Sequence, residues 1–265
     1  MIAPGAHLVD TGPVRGAQLV AYTARLLRAL AADQGGGARV ADLVDATGLE
    51  RATVNRIVRA LCQEGLAMRR EGESRYVLGA LAFELGLAAS RQYPLRELAA
   101  ASMERLAELT GDTCFLMVRS GQDAVCIDRR EGSFPVKTLT IGVGDRRPLG
   151  AAAASLALLM HLPELERESY IAVNSERIRQ YGMLTGDVVR GMLARSLDLG
   201  FALNNNNIIP DVSAVGVAIL ARFGAPCAAL RDSALSSRMM EGQRFRQIVR
   251  WLEAEAKVIA SKLRG

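Results

Sequence analysis

Two helical patterns separated by a glycine, within residues 39–78, constrain the fold of this chain more than any other feature. The first pattern covers residues 40–46, and Gly48 then supplies the backbone freedom that a tight corner needs. The second covers residues 50–61, where apolar residues recur at helical spacing and form one stripe. The stripe consists of Val54, Ile57, Val58 and Leu61. Two helices around a short glycine turn are typical of a helix-turn-helix, whose second helix enters the major groove of DNA.

The segment after the second helix has the pattern of a basic hairpin. Residues 67–70 and 75–78 have the character of short strands, and Gly72 lies in the turn between them. A basic hairpin in this place is typical of the wing of a winged helix-turn-helix. The alternative is an ordinary helical corner with solvated arginines, which the hairpin and the polar outer face of the second helix disfavour.

We predict that the polar face of the second helix and the hairpin contact DNA. Arg51 and Asn55 lie in the exposed N-terminal part of that helix, so we expect them to reach base edges, where Arg suits guanine and Asn suits adenine. Arg56, Arg69 and Arg75 are expected to contact mainly phosphate. The predicted DNA-binding residues are Arg51, Thr53, Asn55, Arg56, Arg59, Arg69, Arg70 and Arg75.

Helical patterns flank this motif on both sides. A helix over residues 16–32 is predicted to complete a three-helix core and to end at the glycine-containing run 33–37. Its predicted inward residues are Leu19, Tyr22, Leu26, Leu27 and Leu30. A helix over residues 80–92 follows the wing and ends before Pro94, so we interpret residues 80–94 as a linker helix. Residues 1–15 are interpreted as a flexible tail, and residues 16–79 as the first domain.

From residue 95 onward, helices and strands are grouped as in an antiparallel α+β sandwich. A helix over residues 95–110 has Leu98, Met103, Leu106 and Leu109 at core spacing. The predicted strands cover residues 113–119, 124–130, 137–141, 201–204, 214–220 and 227–231. The further predicted helices cover residues 151–161, 163–173, 185–199 and 242–263.

The composition fits a cytoplasmic protein of one or two domains. The 265 residues are 50% hydrophobic and carry a net charge of +5, which permits a polyanionic partner without requiring one. The four cysteines are scattered in apolar contexts without a C-x-x-C pair, so we expect neither a zinc site nor disulfides, and no cofactor. We also expect neither a signal peptide nor a membrane span, because no apolar run approaches the required length.

Four blocks of sequence together resemble the IclR family of bacterial transcriptional regulators, over residues 16–264. They are residues 53–56 in the second helix, 75–79 closing the wing, 144–149 before an alanine-rich helix, and 199–202 before a strand. The resemblance implies a winged helix-turn-helix, a GAF-like α/β effector-binding and oligomerisation domain over residues 95–265, and control of catabolic genes by a small ligand. It also implies dimers or tetramers.

The resemblance implies an effector pocket with three walls. The start of the alanine-rich helix supplies the first, where backbone N–H groups meet a carboxylate; the run of asparagines after Leu203 supplies the second, and the strand after Cys227 the third. Family members often have acidic residues in the second wall and small hydroxyl residues in the third, and this chain departs from both patterns. The residues carried over are Leu149, Gly150, Ala153, Ala154, Asn204, Asn205, Ala214, Arg231 and Ser233.

Alternation along the third wall predicts the chemistry of the ligand. Neighbouring residues of a strand point to opposite faces, so Arg231 shares a face with Ser233 and not with Asp232. If Ser233 faces the pocket, as the resemblance implies, Arg231 does too. A buried guanidinium requires an anionic or strongly accepting partner, which predicts a small carboxylate whose apolar or aromatic body lies near Leu149 and Leu203. The alternative is a polar surface loop with an Arg231–Asp232 surface pair.

Two other functions remain open at this point. One is an enzyme acting on a small acid in the second domain, although only two histidines are present and no phosphate-binding glycine loop occurs. The other is an architectural DNA-binding protein without a ligand. The reading we adopt is a ligand-responsive regulator that is not an enzyme. Its minimal unit is predicted to be a dimer, with the helices over residues 16–32 and 80–92 as apolar seams.

Overall fold

The computed structural model describes residues 16–32, 36–221 and 224–264. They divide into two compact units that meet in sequence between Tyr93 and Pro94. The predicted tail over residues 1–15 and residues 33–35 of the predicted helix end lie outside the described residues.

The N-terminal unit is a set of helices with a small antiparallel hairpin. Its elements are α1 Gln18–Ala32, α2 Val40–Thr47, α3 Arg51–Gln63, β1 Ala67–Arg69, β2 Tyr76–Leu78 and α4 Ala80–Ser90. A carboxylate oxygen of Asp42 accepts the N–H of Arg39 at 2.8 Å where α2 begins, and Gly48 ends the helix with a φ of 66°. The winged helix-turn-helix predicted from the sequence is confirmed.

One apolar core joins α1, α2, α3 and the hairpin. Leu26 of α1, Leu43 of α2 and Val54 of α3 are completely buried in it, so the apolar stripe of α3 lies inside as its spacing predicts. The prediction that Leu19 faces inward is wrong, because its side chain is 59% exposed. The fully buried positions of α1, Leu26 and Leu30, lie in the C-terminal half of the helix.

The C-terminal unit is an antiparallel sheet with helices on both faces. Within the described residues its strands follow the order β5-β4-β3-β8-β7-β6. The strands are β3 Thr113–Ser120, β4 Asp123–Glu131, β5 Arg146–Pro148, β6 Ala202–Asn205, β7 Val212–Leu220 and β8 Pro226–Leu235. The helices are α5 Leu95–Thr110, α6 Ala153–Met160, α7 Glu164–Ile178, α8 Gly186–Leu199, α9 Ser236–Met239 and α10 Gly242–Arg264. The predicted α+β class is confirmed.

Alternate residues of the central strands enter two different cores. On the face that we call the α6 face, Phe115 packs with Leu156 of α6; on the opposite, α10 face, Leu116 packs with Leu252 of α10. Gly216 of β7 allows α6 to lie directly on the sheet, because a Cβ there would stand only 2.4 Å from the carbonyl oxygen of Ala153. The start of α6 is therefore fixed against the middle of the sheet.

Three sequence-based expectations in this unit are wrong. Residues 137–141 do not form the predicted strand, because their contacts with the sheet are made through side chains; the Thr138 hydroxyl, for example, donates to the carbonyl of Ser233 at 2.6 Å. The predicted strand over residues 227–231 continues to Leu235. Leu109 is exposed and does not lie in the core, since the buried face of α5 runs through Met103 and Leu106.

Candidate functional site

The outward face of α3 is polar and accessible. Arg51, Arg56 and Arg59 are exposed, while Thr53 and Asn55 are half-buried. The Asn55 amide donates to the carbonyl of Arg51 at 3.0 Å, so its orientation is held along the helix. The structure thus places five of the predicted DNA-binding residues on one helix whose other side is anchored in the core.

The remaining three predicted residues belong to the hairpin. Arg69 donates through Nε to the carbonyl of Glu73 at 2.9 Å, and Arg70 donates to the carbonyl of Gly36 at 3.3 Å. Arg75 donates to the carbonyl of Gly37 and lies 3.8 Å from the Glu73 carboxylate. The guanidinium of Arg69 is therefore held at the turn of the hairpin, and those of Arg70 and Arg75 are held against the segment that precedes α2.

A third extended segment supports the hairpin. The N–H of Ala38 donates to the carbonyl of Tyr76 at 2.9 Å, and the N–H of Tyr76 donates to the carbonyl of Ala38 at 2.8 Å. This bridge joins the segment before α2 to β2. The wing is thereby fastened to the same core that positions α3.

In the C-terminal unit, Arg231 of β8 is buried on the α6 face. Its side chain lies next to Phe115, the residue opposite it on the neighbouring strand β3. The guanidinium carbon is 4.8 Å from the centre of the Phe115 ring. Its Nη2 donates to the hydroxyls of Thr140 and Ser233, at 3.0 Å each. Asp232 is completely buried on the opposite face, where it accepts from Cys114, so the predicted alternation along β8 holds in the structure.

The charge of Arg231 is not neutralised by a carboxylate. Only 6% of the residue is exposed, its Nε has no hydrogen-bond partner, and no ion pair reaches it within the described part of the chain. Burial, followed by the nearby charge of Arg147, lowers the pKa of Arg231 to about 10, so the group is protonated at neutral pH. A buried cation with an unused donor is suited to an anionic ligand.

Arg231 lines a small cavity of about 20 Å³. A volume of this size holds roughly one water molecule, so a larger occupant requires its wall to move. The lining residues are Thr140, Arg147, Ala151, Ala152, Asn204, Ile208, Ile209, Val212 and Arg231. None of these side chains is acidic.

The structure brings only part of the predicted effector site to this cavity. Asn204 and Arg231 line it, Ser233 contacts Arg231, and Ala214 is the cross-strand neighbour of both Asn204 and Ser233. Asn205 instead accepts from Ser213 at 2.8 Å.

The other predicted residues are buried around the start of α6 and do not line the cavity; they are Leu149, Gly150, Ala153 and Ala154. The backbone N–H groups of Gly150 and Ala152 donate to the Ser155 hydroxyl, at 3.2 and 3.0 Å. Those two donors are therefore not free for a carboxylate, and the α6 side of the cavity is formed by Ala151 and Ala152.

The expectation that Leu203 lies beside the ligand is wrong. Leu203 packs in the core on the α10 face, because Asn204 occupies the α6 face and adjacent residues of a strand alternate. Sequence reasoning also missed Thr140, Arg147 and the loop residues Ile208 and Ile209. Arg147 lies within the sequence block 144–149, whereas the two isoleucines gave no local signal.

A larger groove, of about 420 Å³, is open to solvent between the end of α6 and α10. Its lining is mostly apolar, and its charged residues, Glu253 and Lys257, have opposite signs. None of the predicted effector residues lines it. The smaller cavity at Arg231 is therefore the stronger candidate for an anion.

The described residues offer no metal site and no membrane-spanning helix. Within residues 16–32, 36–221 and 224–264, no group of three or more histidine, cysteine or acidic side chains is arranged to hold a metal ion. The described helices also include none that is both long and apolar enough to cross a membrane.

A winged helix-turn-helix joined to a second unit with a polar cavity defines the class of DNA-binding regulators that respond to a ligand. The family description for the C-terminal domain of the bacterial transcriptional regulator IclR matches residues 87–261, and that for the IclR helix-turn-helix domain matches residues 20–71. The chain belongs to the IclR family of bacterial transcriptional regulators.

Relatives and solved structures agree with this family. The probable transcriptional regulator SauR of Cupriavidus necator is 27% identical over 220 residues, 83% of this chain and 86% of SauR. The fold is similar to that of an IclR family transcriptional regulator from Brucella abortus, with 21% identity, a TM-score of 0.76, and coverage of 99% of this chain and 98% of that one. It is also similar to an IclR homologue from Microbacterium hydrocarbonoxydans in complex with 4-hydroxybenzoate, with 23% identity, a TM-score of 0.70 and coverage of 92% and 98%.

Proposed function

We propose that this protein controls catabolic genes in response to a small organic acid. The observation that carries the proposal is the buried Arg231, which lines a cavity without acidic residues and has an unused Nε donor. The Microbacterium homologue, which was crystallised with 4-hydroxybenzoate, supports a carboxylate as the ligand class. In this chain the ligand carboxylate replaces the missing counter-charge of Arg231, while the hydroxyls of Thr140 and Ser233 orient the guanidinium.

On the DNA side, Arg51 and Asn55 are proposed to read base edges, with Thr53 and Arg59 beside them on α3. Arg56 and the three hairpin arginines hold phosphates on either side of the groove. This division follows from α3 being the second helix of the motif, which enters the major groove, with exposed arginines on its outward face and the hairpin fastened to the same core.

The minimal unit is proposed to be a symmetric dimer that forms through α1 and α4. One head reads only a few base pairs, which gives too little discrimination against a genome. Leu19 and Val20 of α1 are 59% and 69% exposed; on α4, Phe83 is 67% and Leu85 54% exposed, and α4 has no buried residue. A second copy of the chain would cover these apolar faces, and a dimer of dimers through the C-terminal unit would extend the contact.

In this mechanism the ligand selects among arrangements of the paired heads. Their spacing must match two half-sites of the operator, so a ligand that binds one arrangement better changes the DNA affinity. The ligand dissociates without chemical change, because the proposed role of the C-terminal unit is binding and not catalysis. Such a protein acts in the cytoplasm, where the operator and the metabolite meet.

A thermal-shift screen with small organic and aromatic acids tests this function. Acids that raise the melting temperature are then titrated against a complex of the protein with DNA that it selects from a random pool. We expect at least one acid to change the DNA affinity and to be recovered unaltered. If no acid changes the affinity, or if the acid is converted to a product, the proposal is wrong.

A further inference from the structure

Arg147 is a second cation at the cavity. It differs from Arg146, the preceding residue of β5, in its contacts with carboxylates. Arg146 lies 3.1 Å from the Asp123 carboxylate, which it shares with Arg177. No carboxylate pairs with Arg147 among the described residues, although it is only partly exposed. Its Nη2 donates to the carbonyl of Thr140 at 2.8 Å, and its guanidinium carbon stands 4.4 Å from the ring centre of Tyr181.

Arg147 and Arg231 approach the same residue from different strands. Arg231 donates to the hydroxyl of Thr140, and Arg147 donates to its carbonyl. The two guanidinium groups are therefore separated by no more than two hydrogen bonds and the width of one residue. Both line the cavity, and neither has a carboxylate partner within the described chain.

Two like charges held this close repel each other in a site that excludes most water. The charge of Arg147 already counts among the causes that lower the pKa of Arg231. A ligand with one negative charge would leave one guanidinium uncompensated. A ligand with two would neutralise both, and its gain would be larger because the repulsion between the arginines would also be removed.

We propose that the effector is a compact dicarboxylate whose two carboxylates pair with Arg231 and Arg147. The proposal rests on the effector function proposed above and specifies the ligand class of that same cavity. The side-chain oxygen of Asn204 accepts from Asn207, at 3.3 Å to each of two nitrogens, so the Asn204 amide nitrogen remains as a donor to the ligand. Ile208, Ile209 and Val212 contact its short carbon body.

The shared contact with Thr140 limits the length of the ligand. If a long chain joined the two carboxylates, the second carboxylate would lie beyond the second guanidinium. The fit is therefore best when only a few carbon atoms separate the two carboxylates. The cavity must open to admit such a ligand. Ile208 and Ile209 on its lining belong to the loop between β6 and β7, and Val212 is the first residue of β7. Two residues of this loop, Asn206 and Asp211, have φ values of 61° and 59°, which is unusual for residues other than glycine.

Calorimetry with matched acids tests the inference. The ligands are saturated and aromatic dicarboxylates of increasing length, the monomethyl ester of each, and inorganic phosphate. The ester keeps the carbon body and removes one charge. We expect a short dicarboxylate to bind at least about 10-fold more tightly than its ester, and to bind more tightly than phosphate.

Two variants then assign the second charge. Arg147→Gln is expected to reduce dicarboxylate affinity to the level of the ester while leaving ester affinity unchanged. Arg195→Gln, which removes the same charge from an exposed position of α8, is expected to change neither. Melting curves establish that each variant is folded.

The outcomes separate this inference from the function on which it rests. A monocarboxylate that binds most tightly, controls DNA binding and is insensitive to Arg147→Gln would overturn the dicarboxylate assignment and leave the proposed function intact. Tighter binding of phosphate than of every dicarboxylate would also overturn it. The absence of any acid-dependent change in DNA binding would overturn both proposals together.

Discussion

At the scale of single residues, this protein places charge where its surroundings do not neutralise it. Arg231 and Arg147 are cations without carboxylate partners among the described residues, whereas Asp112 is paired with Arg238 at 2.8 Å and with Arg244. A buried charge normally requires a partner, so an unpartnered one in a cavity indicates a ligand more directly than exposure or shape would. The predicted DNA-binding arginines of α3 differ, because they are exposed and water solvates their charges.

Asn55 and Arg69 should have separable roles in DNA binding. Asn55→Ala is expected to cost about 1–3 kcal/mol on the selected operator and to relax its specificity, because an adenine contact is lost. Arg69→Ala is expected to weaken operator and random DNA alike and to reduce the salt dependence. Fluorescence anisotropy at several salt concentrations measures both effects. An unchanged preference for the operator in Asn55→Ala would contradict the assignment.

Arg231 should be required for the ligand response. Arg231→Met keeps an apolar stem beside Phe115 but removes the charge, so the acid that binds wild-type protein is expected to lose its effect on DNA affinity. Titration of the protein–DNA complex with that acid measures the response, and Arg195→Gln is the matched control. Wild-type ligand affinity in Arg231→Met would show that this guanidinium does not bind the carboxylate.

Asp232 should make stability depend on pH. Burial, and then the charge of Asp112, raises the pKa of Asp232 to about 7, compared with about 3.9 for an unfolded Asp. The stabilisation from the protonated acid is therefore complete below about pH 3.9 and is lost as pH rises through about 7. Asp232→Asn is expected to flatten the fall in melting temperature between about pH 5 and pH 8, and Asp198→Asn, at an exposed position, is expected to leave it unchanged. A fall of the same size in Asp232→Asn and wild-type protein would refute this origin.

At the scale of elements, the sequence-based predictions succeed where the residues that determine an element lie close together in the sequence. The helix-turn-helix was predictable because the stripe on α3 and the glycine before it are encoded within a few residues of each other. The strand over residues 137–141 was predicted wrongly because its composition permits extended backbone, whereas the carbonyls of Thr140 and Ile141 accept from arginine side chains and not from a neighbouring strand. The alternation of Arg231 and Asp232 was likewise predictable from β8 alone.

The cavity could be predicted only in part, because its lining comes from separate segments. Arg147, Thr140 and Ile208 come together through packing of β5, the coil after β4 and the loop after β6. Nothing local in the sequence links them. The resemblance placed the first wall at the start of α6, but the residues assigned to it, Ala153 and Ala154, lie two positions beyond Ala151 and Ala152, which line the cavity.

The exposed apolar face of α4 leads to a prediction for that element. Leu85→Glu places a charge on the proposed seam and is expected to convert the dimer to monomer at micromolar concentration, with a matching loss of operator affinity. Leu165→Glu is the control, because Leu165 of α7 is 88% exposed and outside the proposed seam. Sedimentation measures the mass. A wild-type chain that is monomeric with full operator affinity would rule out the dimer.

At the scale of the whole molecule, two units with separate cores divide recognition between them. The N-terminal unit holds α3 and the wing on one core, and the C-terminal unit holds the cavity on one face of its sheet. A ligand influences DNA binding only through a difference in its affinity for the arrangements of the proposed dimer. The same coupling requires operator DNA to change the affinity for the acid by an equal factor.

The small size of the cavity has a consequence for timing. A space that holds one water cannot take up an acid until its wall opens, so the observed rate of binding is expected to reach a plateau as the acid concentration rises. Escape is limited by the same opening, which lengthens the residence time of the acid. A regulator built in this way averages over brief fluctuations in metabolite concentration and follows only those that outlast the opening and closing of its own wall.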